Sequence, residues 1–391
     1  MSLTLFCDCT STGGVFTYSN QVLNACREAG ISHKVITHMP RSVGDKRREA
    51  QLLEGCGSNV SIANGLSEQA IQDGIDHFLR IVPSTWYMPN YRGAPHAGMI
   101  TAKALGGGNI YVCHNDEPVS YRFATRYQSV IDRFVAPSDK CFKELHRLLP
   151  RSLHKRIVYI PHAVGPLGPV TPKTLQHRPI RLLYHGRLDY EQKQVHYLPK
   201  VAQQLEKWGF PFELHVAGDG PARQQLEDHP NFPGAEFHGY VQHDSLGSLF
   251  EACDIAILTS KYEGFCLGLA EAMRHGLPGI AMDCGGVIND FLSNFENGFI
   301  VPQGEVEQLA WMIRGIVENP DKYASMSRHA ISELSDRFSI TNFNNAYGNL
   351  LSEKPDVKYS WPLFRPARIP DKRLSRDGLL DIMGQRLLGW P

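Results

Sequence analysis

The stretch from Asp254 to Met282 constrains the fold more than any other part of the sequence. Asp254–Thr259 is a short apolar run with the pattern of a buried parallel strand. His275, Gly276 and Pro278 are last-turn, C′ and post-cap signals, so a helix of about three turns ends there. Pro278–Met282 is a second apolar run. A strand, an acidic loop, a helix and a strand make one unit of a parallel α/β sheet. Its loop lies at the carboxyl end of a strand, where open α/β sheets bind ligands.

That loop carries specific chemistry. Glu263 precedes the backbone amides of Gly264, Phe265, Cys266 and Leu267, read here as the first helical turn, and Glu271 lies further along the helix. An anion settles on a helix N-terminus. Ionised carboxylates only accept hydrogen bonds, so the two glutamates would flank the anion and receive hydroxyls. A phosphate with a polyol on each side describes a nucleotide sugar. Taken alone, the pair reads as a solvated loop residue and a surface helix residue; the rest of the chain reverses that preference.

A chain of 391 residues exceeds the usual single core, so two domains are expected. Lys+Arg and Asp+Glu balance at 40 each, which gives no reason to expect nucleic acid as a partner. The nine cysteines lie mostly in apolar runs. Cys7 and Cys9 have no second pair to complete a zinc site, so reduced thiols in a cytoplasmic protein and no metal ligands are expected. The N-terminus has no basic segment before its first strand, so no signal peptide is expected. No apolar run reaches the length of a membrane span.

The first half alternates strands and helices. Leu3–Asp8 reads as a strand, followed by Gly13 and Gly14 and a helix ending at Gly30. Glycines there let a backbone approach a phosphate, although the motif is neither a full dinucleotide fingerprint nor a P-loop. Residues 40–65 have poor periodicity and a basic cluster, and read as a solvated loop or one that grips an acceptor. His114 ends the strand that starts at Asn109, where it either bonds a substrate hydroxyl or packs as a satisfied core histidine. The basic run from Lys140 to Arg156 reads as an amphipathic helix with a solvated face. Peripheral docking on anionic lipid is the alternative that is not favoured.

Prolines crowd residues 161–179 and mark the best boundary. The organisation read from this is an acceptor-side Rossmann-like domain at 1–165, a linker at 166–178, a donor-binding Rossmann-like domain at 179–346 and a tail at 347–391. The tail, with a helical stretch near 379–388, is free in this reading to wrap back over the first domain. The fold class is α/β, two doubly wound domains facing each other across a cleft. In the second half a helix is expected from about Gln192. Arg187 and Lys193 follow a strand and can reach the cleft, a guanidinium fork and an ammonium both suiting a diphosphate. Gly218-Asp219-Gly220-Pro221 reads as a turn.

Together, Gly186-Arg187 with Lys193, Val216 to Pro221, Phe237 to Val241, Ser260 to Pro278 with its two glutamates, and Gly285-Gly286 resemble the retaining family 4 (group 1) glycosyltransferases of GT-B architecture. The series covers about 180–320, and the N-terminal half resembles the family more loosely. The sequence departs from the family at Pro161-His162-Ala163-Val164-Gly165, where Pro-Asn-Gly-Val-Asp is usual. The resemblance implies Arg187 and Lys193 on the donor diphosphate, and Glu263 with the amides of Gly264, Phe265, Cys266 and Leu267 on sugar and phosphate. It further implies Glu271 on the ribose, Tyr240 and Val241 by the base, Gly13 and Gly14 by the diphosphate, and His114 by the sugar.

The function so implied is transfer of a hexosyl or N-acetylhexosaminyl group to an acceptor hydroxyl with retention. The donor is a nucleoside diphosphate sugar, UDP ahead of GDP, and the acceptor a sugar, a glycoside or another hydroxyl compound. No cofactor is expected, and the lack of a D-x-D motif fits metal independence. The competing readings are an epimerase or phosphorylase on the same fold, and a non-catalytic sugar-nucleotide binding module.

Overall fold

The computed structural model describes residues 1–356 apart from 11, 12, 92, 167, 169, 176–178, 231 and 233. The helix expected near 379–388 therefore lies outside the described residues. Two parallel sheets carry the chain. The first contains β1 Ser2–Phe6, β2 Ser32–His38, β3 Ser58–Ile62, β4 Trp86–Pro89, β5 Gly108–Val112, β6 Arg133–Ala136 and β7 Ile157–Tyr159. The second contains β8 Ile180–His185, β9 Phe212–Ala217, β10 Ala235–Gly239, β11 Ile255–Leu258, β12 Gly279–Met282 and β13 Gly298–Val301.

Their orders are β3-β2-β1-β4-β5-β6-β7 and β10-β9-β8-β11-β12-β13. Each order reverses once, between β1 and β4 and between β8 and β11, which opens a crevice at the carboxyl ends of those strands. Successive residues feed opposite faces: Leu182 and Tyr184 join one apolar cluster of the second sheet and Leu183 the other. Helices on both faces explain why inner strands such as β11 and β12 read as continuous apolar runs.

The helices of the first half are α1 Gly14–Glu28, α2 Val43–Leu53, α3 Glu68–Ile81, α4 Ala94–Ala104, α5 Pro118–Arg126 and α6 Asp139–Leu148. Those of the second are α7 Tyr197–Lys207, α8 Arg223–Glu227, α9 His243–Ala252, α10 Leu267–Arg274, α11 Val306–Val317 and α12 Pro320–Arg337, followed by α13 Ile340–Ser352. Helix α13 returns to the first sheet. Ser339 caps it by accepting from Asn342 N, and Phe343, Tyr347, Leu350 and Leu351 pack with Leu3, Leu5 and Trp86. Trp86 Nε1 donates to Leu351 O over 3.2 Å, and the Tyr347 and Tyr18 hydroxyls pair. The return thus begins at Ile340, inside the stretch read as the end of the donor-binding domain.

Two local readings are corrected. Residues 40–65 are not a loop but contain α2 and the edge strand β3. A capping box starts α2: Ser42 Oγ accepts from Asp45 N while the Asp45 carboxylate accepts from Ser42 N. Only Asp45 and Leu52 of that helix are buried, so no apolar stripe marks it in the sequence. Helix α7 starts at Tyr197 and not near Gln192.

The basic run forms α6 and a 3-10 turn, Arg151–Arg156. Lys140 pairs with Glu144 at 3.1 Å and Arg147 with Glu144 at 2.8 Å, ordinary contacts of a solvated helix face. Among the described residues, no helix is long and apolar enough to cross a membrane.

Candidate functional site

The crevice of the second sheet is built by the loops after β8 and β11. After β8, the Asp189 carboxylate accepts from Gln192 N at 2.7 Å and Lys193 N at 3.2 Å, and from Arg187 Nε at 2.8 Å. An aspartate that bonds its own following backbone holds a turn, so the helix waits until Tyr197 and Lys193 stays on the loop. The glycines of the neighbouring turn let it nest there: a Cβ on Gly218 would stand 1.8 Å from Gly186 O.

The β11 loop is stitched to this turn. Lys261 N donates to Gln192 O at 2.7 Å, Gln192 Nε2 to Tyr262 O at 3.2 Å, and Thr259 Oγ1 to Lys193 O at 2.7 Å. The stitching delivers Lys193 Nζ to Glu263 Oε1 at 2.5 Å, with both side chains largely buried. Burial alone would depress the lysine pKa. The Glu263 carboxylate outweighs it and holds the ammonium above its ordinary range. Arg187 is 58 % exposed at the crevice mouth, and its charge also acts on Lys193.

Helix α10 begins one turn later than the spacing suggests. Cys266 is its N-cap in the left-handed region, φ 70°, so Gly264 and Phe265 belong to the loop and Leu267 opens the first turn. The helix is eight residues long, against about three turns expected. Gly268 sits where a Cβ would stand 2.7 Å from His185 O, so α10 packs tightly against the end of β8. Glu271 follows on the buried side, 6 % exposed, with His185 Nδ1 at 3.9 Å. Burial pushes its carboxyl up to about 8.

The first sheet supplies the facing wall. Asp116 N donates to Glu263 O at 2.8 Å, and a Cβ on Gly264 would stand 1.9 Å from His114 O. Gly264 is therefore needed where the two halves touch. His114 lies two residues beyond β5, its Nε2 3.2 Å from Asn90 Oδ1 and its ring edge-on to Tyr18. His162, at the variant Pro161-His162 position, stacks on Phe265 with centroids 5.2 Å apart and lies 4.7 Å from Tyr18. Burial lowers its pKa to about 3, which keeps this interdomain imidazole neutral. Gly13 caps α1 and Gly14 opens it, with nothing within 4 Å of a Cβ at either. The α1 residue Tyr18 touches His114 and His162, so that helix start borders the same crevice.

Arg187, Lys193, Glu263, Gly264 and His114 thus meet at one crevice, with Phe265 buried in its wall, Cys266 at the helix cap, and Leu267 and Glu271 on the helix behind it. Tyr240 and Val241 follow β10; Tyr240 is 47 % exposed with the Arg48 guanidinium 5.9 Å from its ring centre, and Val241 packs on the core. Sequence reasoning missed Asp189, Asn90 and Asp116. Asp189 had a signal, since an aspartate three residues before Gln192 can close a turn. Asn90 and Asp116 act only through the tertiary fold and had none.

Residues 171–333 match the model of the family described as glycosyl transferases group 1. The alpha-D-kanosaminyltransferase of Streptomyces kanamyceticus is 28 % identical over 171 residues, 43 % of this chain and 44 % of that protein. A glycogen synthase of Mycobacterium tuberculosis is 30 % identical over 164 residues, 41 % of this chain and 39 % of that protein. This chain thus spans less than half the length of either relative. The crystal structure of Anabaena HepE in complex with UDP-glucose superposes with a TM-score of 0.70 at 17 % identity, covering 90 % of this chain and 99 % of that one. The fold is GT-B, and residues 171–333, less than half of the chain, match the glycosyl transferases group 1.

Proposed function

We propose that this protein transfers a sugar from a nucleoside diphosphate sugar, UDP ahead of GDP, to an acceptor hydroxyl with retention of configuration. The observation that carries the reading is the buried Lys193–Glu263 pair at the sheet's switch point, 2.5 Å across, beside the start of α10 and facing His114. Names of the relatives support sugar transfer, and the HepE complex supports a UDP donor.

In this reading the bond from the anomeric carbon to the β-phosphate oxygen breaks. Charge develops on the leaving phosphate as the sugar gains oxocarbenium character. Lys193, Arg187 and the amides opening α10 balance that charge from positions already set by the fold. Side chains and amides, and not an ion, do this work, and no cofactor takes part. Glu263 accepts hydroxyls of the sugar and Glu271 those of the ribose. The acceptor attacks from the face the phosphate leaves, and its proton passes to the leaving phosphate oxygen. A hexosyl or N-acetylhexosaminyl donor fits this chemistry. Nine free thiols, eight of them buried, suit a reducing compartment, so the cytoplasm is the proposed location.

A panel of UDP and GDP sugars scored by thermal shift tests the reading, because a specific ligand raises the melting temperature by mass action. A UDP sugar should raise it and then yield UDP only when an acceptor is added. Sugar isomerisation with donor alone, or no shift with any member, would overturn it.

A further inference from the structure

We infer that this chain carries a divalent transition-metal site on the outer edge of its second sheet, apart from the crevice, formed by His215, Glu236 and His238. Nothing in the proposed transfer chemistry uses these residues.

The placement follows from strand geometry. His215 on β9 is the register partner of Glu236 on the edge strand β10, and the ladder slips between Phe237 and Gly239. Paired residues of parallel strands share a face, and so do residues two apart. His215, Glu236 and His238 therefore share one side, while Leu214, Val216 and Phe237 point into the apolar cluster on the other.

The ligand atoms converge. His215 Nδ1 lies 3.0 Å from His238 Nε2 and 3.3 Å from Glu236 Oε2, and the three residues offer donor atoms all within 4.8 Å of one another. A tetrahedral ion with bonds of about 2.0–2.1 Å spaces its ligands about 3.3 Å apart. Two imidazole nitrogens and one carboxylate oxygen suit zinc, and copper or nickel as well, more than calcium or magnesium. Three protein ligands leave a fourth position for water.

A second observation points the same way. His215 is only 8 % exposed, and its other nitrogen, Nε2, is buried without a hydrogen bond. Glu213 Oε2, which accepts from Arg181 Nε at 2.8 Å, stands 3.8 Å from that Nε2, beyond hydrogen-bond distance but on the side from which carboxylates orient metal-bound histidines. A bound ion would tie the edge strand to its neighbour immediately before Gly239, Tyr240 and Val241.

The test uses the untagged chain, stripped with chelator and titrated with Zn²⁺ by calorimetry and with Co²⁺ by absorption. His238→Ala and Glu236→Gln are the variants, since both side chains are partly exposed. Wild type should bind one ion, with Co²⁺ giving visible ligand-field bands and no thiolate charge-transfer band. Removing an outer-shell partner alone costs about 10–100-fold in affinity, so loss of the His238 ligand should cost at least that, with a smaller loss in Glu236→Gln. Equal affinity in wild type and His238→Ala, thiolate absorption, or no binding to wild type would overturn the site. The last result would leave the His215–His238 contact as a plain N–H···N hydrogen bond.

Discussion

Two largely buried lysine–carboxylate pairs stand in different regions of this molecule, in different surroundings. In the first half, Lys103 Nζ lies 2.7 Å from Asp132 Oδ1 and donates to Asp356 O, while Asp132 Oδ2 accepts from Asn109 N at 2.9 Å. That pair is closed: its charges are met from several sides by a folded backbone. In the second half, Lys193 meets Glu263 at the edge of a crevice, between two loops and beside the start of a helix. A closed pair serves the fold, whereas an open pair in a cleft holds charge ready for something else.

Breaking each pair should separate the two roles. Lys103→Ala leaves the Asp132 carboxylate buried and uncompensated, and should destabilise the protein by about 3–5 kcal/mol, read in denaturant unfolding. Lys193→Ala should lower turnover on the order of 10²-fold or more, with a smaller loss of stability than Lys103→Ala. If Lys193→Ala unfolds the protein as readily as Lys103→Ala and the folded fraction turns over normally, the contrast fails.

Glu271 sharpens the comparison through pH. Its folded pKa is raised to about 8 from an ordinary 4.5. Between those values the folded state holds a proton that the unfolded chain has released, so stability falls as pH rises. The slope is at most about 1.4 kcal/mol per pH unit. Glu271→Gln removes it, and the variant should gain on wild type from pH 5 to pH 8 in ligand-free melts. Parallel profiles would mean that the carboxylate is well solvated. Arg187→Ala should have the smallest effect, about tenfold in donor affinity at low salt and less at high salt, because its guanidinium stands at the exposed mouth.

The second sheet was legible because its inner strands 255–258 and 279–282 are buried on both faces and apolar throughout, while 180–185 and 212–217 keep enough apolar residues to read as strands. Helix α2 was hidden because it buries only two residues, so its signal lay in the Ser42 and Asp45 cap. The start of α7 was misplaced because the Asp189 turn competes with helix formation locally. Glu263 and Lys193 could be singled out in the sequence as charged residues following strands. Their mutual contact, the Asp116 and Gly264 approach across the cleft, and the His162–Phe265 stack depend on how two remote segments meet. No local pattern encodes that. The histidines of β9 and β10 were overlooked for the same reason, since 23 residues separate His215 from His238.

The most direct measurement is calorimetric titration of UDP and of UMP into wild type and Lys193→Ala. A charged hydrogen bond to the β-phosphate is worth about 1.5–3 kcal/mol. UDP affinity should therefore fall about tenfold or more in the variant while UMP affinity stays nearly constant. Equal UDP affinity in the two proteins, or equal losses for UDP and UMP, would contradict the placement of Lys193 on the donor diphosphate.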